Sequence, residues 1–190
     1  MIHPSNISAI YREYMDSLYA YALHLGFRED KAMDAIHDVF YKLCIHNTSL
    51  DNITNLKFYL FRALKNRLID MHRAERNYPQ VIESEKEIAE NIPFQLNVTI
   101  EDELINQEDQ EKIRKQVESV LSGLTDRQRE SIYLRYIHEY DYEEIAELMK
   151  ISVPACRNLI SKSLTKLKDA PLPLTQLLLI ISNFPILVEK

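Results

Sequence analysis

Only two glycines, Gly26 and Gly123, occur in the 190 residues of this chain. A chain so poor in the residue that shapes tight hairpins has few ways to build a many-stranded sheet. It also cannot carry the glycine-rich signatures of dinucleotide binding, phosphate-loop nucleotide binding or the strained nucleophile turn of hydrolases. Its length suits one ordinary domain or two small ones.

Apolar spacing supports three helices in the first part, roughly 5–78. Ile7, Ile10, Tyr11, Tyr14, Leu18, Tyr21 and Leu25 recur at three- and four-residue intervals, and Gly26 stands where a left-handed C-terminal cap is expected. A second helix is expected over about 29–46, with Ala32, Ala35, Ile36, Val39, Phe40 and Leu43 on one side. Asn47 to Asn55 is rich in Asn, Thr, Ser and Asp, which is loop chemistry. A third, longer helix is expected from about Thr54 to Asn77, limited by Pro79.

The net charge of −6 argues at first against nucleic acid, but the acids are concentrated. Residues 83–111 hold ten of them and one base, Lys86; the rest of the chain has 22 bases against 19 acids. Local patches therefore say more than the overall balance. The acidic stretch reads as a linker of extended and partly helical pieces, or as a plain solvated spacer.

A second helical domain follows over about 110–168. Ile113, Val117, Val120, Leu121 and Leu124 form one stripe, and Ile132, Leu134, Tyr136 and Ile137 another. Thr125 to Gln128 has the T-x-x-Q form of a capping box, and Asp141 is placed to cap the next helix. The run from Tyr142 to Ser161 has helix-turn-helix spacing. Ile145 and Met149 face a core, and Ala146 is small where two helices approach. Ser152 is a good cap, and Pro154 is tolerated in a first turn. Cys156, Leu159 and Ile160 face back, Cys156 as a packing residue rather than a redox group. Ala155, Arg157, Asn158, Ser161 and Lys162 face outward, a set suited to base edges and phosphates. Lys150 occupies a turn position that usually holds Gly. Spacing alone also fits two packed helices in any helical protein.

At this point the sequence resembles the extracytoplasmic-function (ECF) group of bacterial RNA polymerase sigma factors, in the form common in Bacteroidetes-type bacteria. Leu124 to Glu130, Leu134 to Tyr136, Tyr142 to Glu147, Arg157 to Ser161 and Leu164 to Lys168 are similar to the family's promoter-reading domain. Lys31 to Phe40 is similar to its polymerase-binding helix, and Phe58 to Asp70 to its promoter-opening helix.

The resemblance implies an all-α protein of two small helical domains joined by an acidic linker. Residues 1–82 would be a region 2-like helical bundle that binds core RNA polymerase through Asp34, Asp38 and Phe40. It would meet the melted minus-10 element through Arg62, Lys65, Asn66 and Arg73, with the loop Asn47–Asn55 where the family captures a flipped base. Arg76 would flank the same face. Residues 83–111 would be the linker, running through the polymerase. Residues 112–170 would be a region 4-like helix-turn-helix reading the minus-35 element through Ala155, Arg157, Asn158, Ser161 and Lys162. Residues 171–190 would be an apolar tail. Implied partners are core RNA polymerase, promoter DNA and an anti-sigma factor or recruiting protein. No cofactor, metal or catalytic residue is expected.

Rival readings leave weaker traces. Arg62 and its neighbours also suit ordinary solvated charge, Asp34 and Asp38 also suit surface acids, and Phe58 suits a core better than a base contact, while Tyr59 is open. His37, Cys44, His46, His72 and His138 form no H-E-x-x-H and no close cysteine pair, so packing or solvated histidines are expected. A helix-turn-helix regulator acting without polymerase would need a dimerisation element, for which only the tail is a candidate. A cytoplasmic setting is expected: Cys44 and Cys156 suggest no disulfide framework, no secretory signal is apparent, and the run Leu177–Ile181 is too short to span a bilayer.

Overall fold

The structure, a computed structural model, describes residues 4–45, 53–75, 92–96 and 107–168. Seven helices and no strand occur among the described residues: α1 (Pro4–His24), α2 (Glu29–Ile45), α3 (Leu56–Glu75), α4 (Gln107–Ser122), α5 (Asp126–Tyr136), α6 (Tyr142–Leu148) and α7 (Val153–Lys168). The fold is all-α, as the helical periodicity and the family resemblance led one to expect. The chain divides into two compact units, Met1–Ile92 and Pro93–Lys190.

In the N-terminal unit each of the three helices packs on the other two. Gly26 ends α1 with φ 76°, and two amide bonds close a Schellman cap, Gly26 N to Leu23 O at 2.9 Å and Phe27 N to Ala22 O at 3.2 Å. Asn55 caps α3, its side chain accepting from Phe58 N at 3.0 Å. The apolar stripe foreseen for α2 is its buried face: Ala32, Ala35, Ile36, Val39, Phe40 and Leu43. It packs on α1 and α3, where Leu18 and Tyr21 of α1, Leu25 just beyond it, and Leu60, Phe61, Leu64 and Leu68 of α3 are nearly or wholly inaccessible. The Tyr21 and Phe61 rings sit 5.1 Å apart. Arg67 ties α3 to α2 through an ion pair with Asp38 at 2.6 Å. Both side chains are more than a third exposed, so the pair adds at most about 1 kcal/mol.

In the C-terminal unit α7 packs across α5 and α6, and α5 touches α6. The capping box expected at Thr125 is present, Thr125 accepting from Gln128 N and donating its own amide to Gln128 Oε1. A second box closes at Asp141 and Glu144. Ile132 and Leu134 are buried as expected; Tyr136 and Ile137 are only half-buried, and Tyr133 takes the interior place.

The acidic stretch is more than a spacer. Phe94 and Leu96 are buried in the C-terminal unit, and α4 already begins at Gln107. The Phe94 ring lies 5.4 Å from Tyr133. Arg129 donates to Phe94 O at 2.8 Å, to Leu124 O at 2.8 Å and to Leu121 O at 3.0 Å, and pairs with Asp126. One guanidinium thus fastens the extended segment and the end of α4 to α5. The remainder of the expected linker, the loop 46–52, Arg76 and the tail 171–190 lie outside the described residues.

Burial pushes the Tyr133 phenol well above its ordinary value of 10.0. The unfolded chain therefore releases this proton first as pH rises. The stabilisation is complete below pH 10 and is lost above it. The urea midpoint followed by circular dichroism should fall between about pH 9 and about pH 11, and by less in Tyr133→Phe. Equal falls in the two proteins would contradict this.

Candidate nucleic-acid interface

Helix α7 is the second helix of the expected helix-turn-helix. The turn from α6 is a complete Schellman motif: Ile151 N reaches Ala146 O at 2.9 Å and Lys150 N reaches Glu147 O at 3.2 Å. Lys150 takes the left-handed position, φ 53°, where glycine is usual. That geometry strains a residue with a Cβ by roughly 1 kcal/mol. Arg127 caps the same turn from α5, donating to Met149 O at 3.1 Å. Ser152 Oγ accepts from Ala155 N at 3.3 Å and starts α7. Pro154 follows inside the first turn.

These caps fix which face of α7 is inside. Cys156, Ile160, Ser163 and Leu167 are buried, and Ser163 donates to Leu159 O. Burial pushes the Cys156 thiol up, so it stays protonated at neutral pH. Ala155, Arg157, Asn158, Ser161 and Lys162 are all exposed, on the outward face. Arg157 has neighbours the sequence did not suggest. Its guanidinium lies 4.5 Å from the centre of the Tyr142 ring, and its Nη2 is 3.5 Å from Glu143 Oε1. Arg135 covers the same ring at 4.8 Å. Such exposed cation–π contacts contribute about 0.5–1 kcal/mol each.

On α3, Arg62, Asn66 and Arg73 are exposed along one side. Lys65 is not: it is 2 % exposed, so the expectation of an outward base at this position is corrected. It falls in the stripe Phe61, Leu64, Leu68, and its four-carbon stem suits an apolar setting. Phe58 and Tyr59 are both half-buried. On α2, Asp34 is exposed and Asp38 is held by Arg67. Phe40 is 5 % exposed, edge-on to Tyr11 at 4.9 Å; it is a core residue, which corrects its assignment to a docking surface.

Three of the histidines lie against aromatic groups, and His46 lies outside the described residues. His37 lies 3.3 Å from the Tyr11 hydroxyl, His72 is edge-on to Phe27, and His138 is buried between Tyr133 and Tyr140. Among the described residues no group of three His, Cys, Asp or Glu is arranged to hold a metal, and no helix is long and apolar enough to cross a membrane.

Two families match in separate blocks, in the order of the two units. Residues 10–78 match sigma-70 region 2, and residues 114–167 match sigma-70 region 4. The chain carries both a sigma-70 region 2 domain and a sigma-70 region 4 domain. The ECF RNA polymerase sigma factor SigM of Bacillus subtilis (strain 168) is 26% identical over 171 residues, which is 85% of this chain and 93% of SigM. Among solved structures, the sigma factor RpoE of Bartonella quintana, crystallised with the anti-sigma factor NepR, aligns with a TM-score of 0.55. At 22% identity it covers 87% of this chain and 96% of its own, and shows the common fold. In sigma-70 terms α1–α3 lie in region 2 and α4–α7 overlap region 4.

Proposed function

We infer that this protein is an alternative sigma factor of the ECF group, which binds core RNA polymerase and directs it to particular promoters. The observation that carries this is the presence of region 2 and region 4 domains in one chain and in that order. A helix-turn-helix regulator acting alone has no use for a region 2 domain. The family works by recruitment, and we assign this chain no catalytic residue and no cofactor.

At residue level the reading extends further. We assign residues 1–82 to polymerase binding and the minus-10 element, and 112–170 to the minus-35 element. The exposed side of α3, with Arg62, Asn66 and Arg73, suits a surface that tracks single-stranded DNA. On α2 the exposed Asp34 and the half-buried Asp38 are the acids proposed to meet polymerase. Ala155, Arg157, Asn158, Ser161 and Lys162 form the face for the major groove. Within the ECF group we favour the Bacteroidetes-type form, on the motifs quoted above, and a cytoplasmic setting, where polymerase works. RpoE was crystallised with an anti-sigma factor, and a protein regulator of that kind is proposed here too.

Arg157→Ala tests the promoter-reading face. It should weaken binding of the assembled holoenzyme to a matched minus-35 element by about 1–3 kcal/mol, and to a mismatched element by less. Equal losses on both would reduce Arg157 to a phosphate contact.

A further inference from the structure

The group around Tyr142 bears on how Arg157 chooses between a base edge and a phosphate. Arg135 and Arg157 both pack on the Tyr142 ring, with guanidinium carbons 4.8 and 4.5 Å from its centre. Arg135 is itself anchored, donating to Tyr140 O at 2.7 Å. The ring is therefore a fixed platform between α5 and α7. Glu143, next on α6, holds Arg157 Nη2 at 3.5 Å. Arg157 and Glu143 are 57% and 62% exposed, so both remain open to an arriving ligand.

A guanidinium has five N–H donors in a rigid fork. One contact with Glu143 leaves donors for DNA. The two DNA acceptors within reach of such a fork differ in charge. A phosphate is anionic and meets the Glu143 carboxylate as a like charge. A guanine edge offers O6 and N7, two uncharged acceptors spaced for one fork. The carboxylate therefore penalises the phosphate contact and spares the base contact. Stacking on Tyr142 restricts the fork beforehand, which reduces the ordering cost of docking it.

We propose that Tyr142 and Glu143 are specificity-determining positioning residues: Tyr142 orients Arg157, and Glu143 withholds it from phosphates, so that Arg157 reads a guanine edge in the minus-35 element. This deepens the assignment of Arg157 to promoter reading and rests on it.

The test uses the full chain assembled with core RNA polymerase. Its DNA is a promoter fragment found by start-site mapping, the same fragment with each minus-35 base pair replaced in turn, and a random-sequence duplex. Glu143→Gln should raise binding to the random duplex several-fold and steepen its log–log salt dependence by about 0.9, the equivalent of one more phosphate neutralised. Binding to the intact promoter should change little, so discrimination falls. Tyr142→Phe should keep discrimination, and Tyr142→Ala should lose it at the same G·C pair that Arg157→Gln affects. In an Arg157→Gln background, Glu143→Gln should have no further effect on discrimination. Unchanged discrimination in Glu143→Gln, or an effect that persists without Arg157, overturns the proposal. If Arg157→Gln alone leaves discrimination intact at every base pair, the assignment of Arg157 itself fails, and the proposal falls with it.

Discussion

Arg129→Ala is expected to lower the stability of the C-terminal unit by about 3 kcal/mol, since a charged donor to several part-buried carbonyls contributes more than a neutral bond. Arg129 collects Phe94 O, Leu121 O and Leu124 O, from three places on the chain, and pairs with Asp126. Its side chain is 17% exposed, so water can replace only part of what it supplies. Truncation leaves those carbonyls short of donors and unfastens the Pro93–Leu96 segment. Arg129→Lys should recover less than half of the loss, because one ammonium cannot span the same acceptors in fixed directions. Hydrogen exchange read by mass spectrometry measures this locally: amides of 107–136 should lose protection while α1–α3 keep theirs. Unchanged protection in α5 would show that the clasp is ornamental.

Phe61→Ala should have the largest effect in the other unit, about 3–5 kcal/mol. Phe61 is wholly inaccessible and packs its ring against Tyr21 at 5.1 Å. Its removal leaves a cavity where α1 and α3 meet, and the loss combines apolar transfer with an unfilled void. The neighbouring positions on α3 carry the exposed Arg62 and Asn66, so loosening this helix should also reduce polymerase binding and promoter opening. Urea unfolding, with hydrogen exchange assigning the change to α1–α3, is the measurement. A loss below about 1 kcal/mol would mean that the site collapses without a cavity or was never well packed.

The sequence was most legible where a feature is settled within one turn of helix. Gly26 and Lys150 take the left-handed positions that the end of a helix demands, and Thr125 and Asp141 close capping boxes with the residue three places on. The outward face of α7 followed from the buried one, because caps at both ends of the turn fix the rotation of the helix. Features that depend on a distant partner were not legible. Asp38 was foreseen as an acid on a docking surface, but it faces Arg67, 29 residues away in sequence. In sequence Arg129 stands out only as part of a motif, and its reach to Phe94, 35 residues back, is a tertiary event. The contact of Tyr142 with Arg157 depends on how α6 and α7 cross, which spacing does not report.

Lys65 and Phe40 are different, since the pattern held the answer. Phe40 belongs to the α2 stripe that is buried throughout, and a fully used core position has nothing left for a partner. Lys65 lies at four-residue spacing from Phe61 on the buried face of α3, and its charge outweighed its place in the stripe. At Lys65 the charge suggested an outward place, and at Phe40 the family resemblance suggested a docking role; apolar periodicity was the better guide at both. The acidic run reads as extended and partly helical pieces or as a plain spacer; Phe94 and Leu96 within it are core residues of the C-terminal unit, and a helix begins at Gln107.

The central claim is that this chain gives core RNA polymerase its choice of promoter. It is tested most directly by transcribing genomic DNA of the source bacterium with its own core polymerase, with and without the protein, and mapping every start site. The account predicts that the protein binds core and creates new starts that share two upstream elements, one near minus-10 and one near minus-35. A chain that does not bind core and adds no start would contradict it.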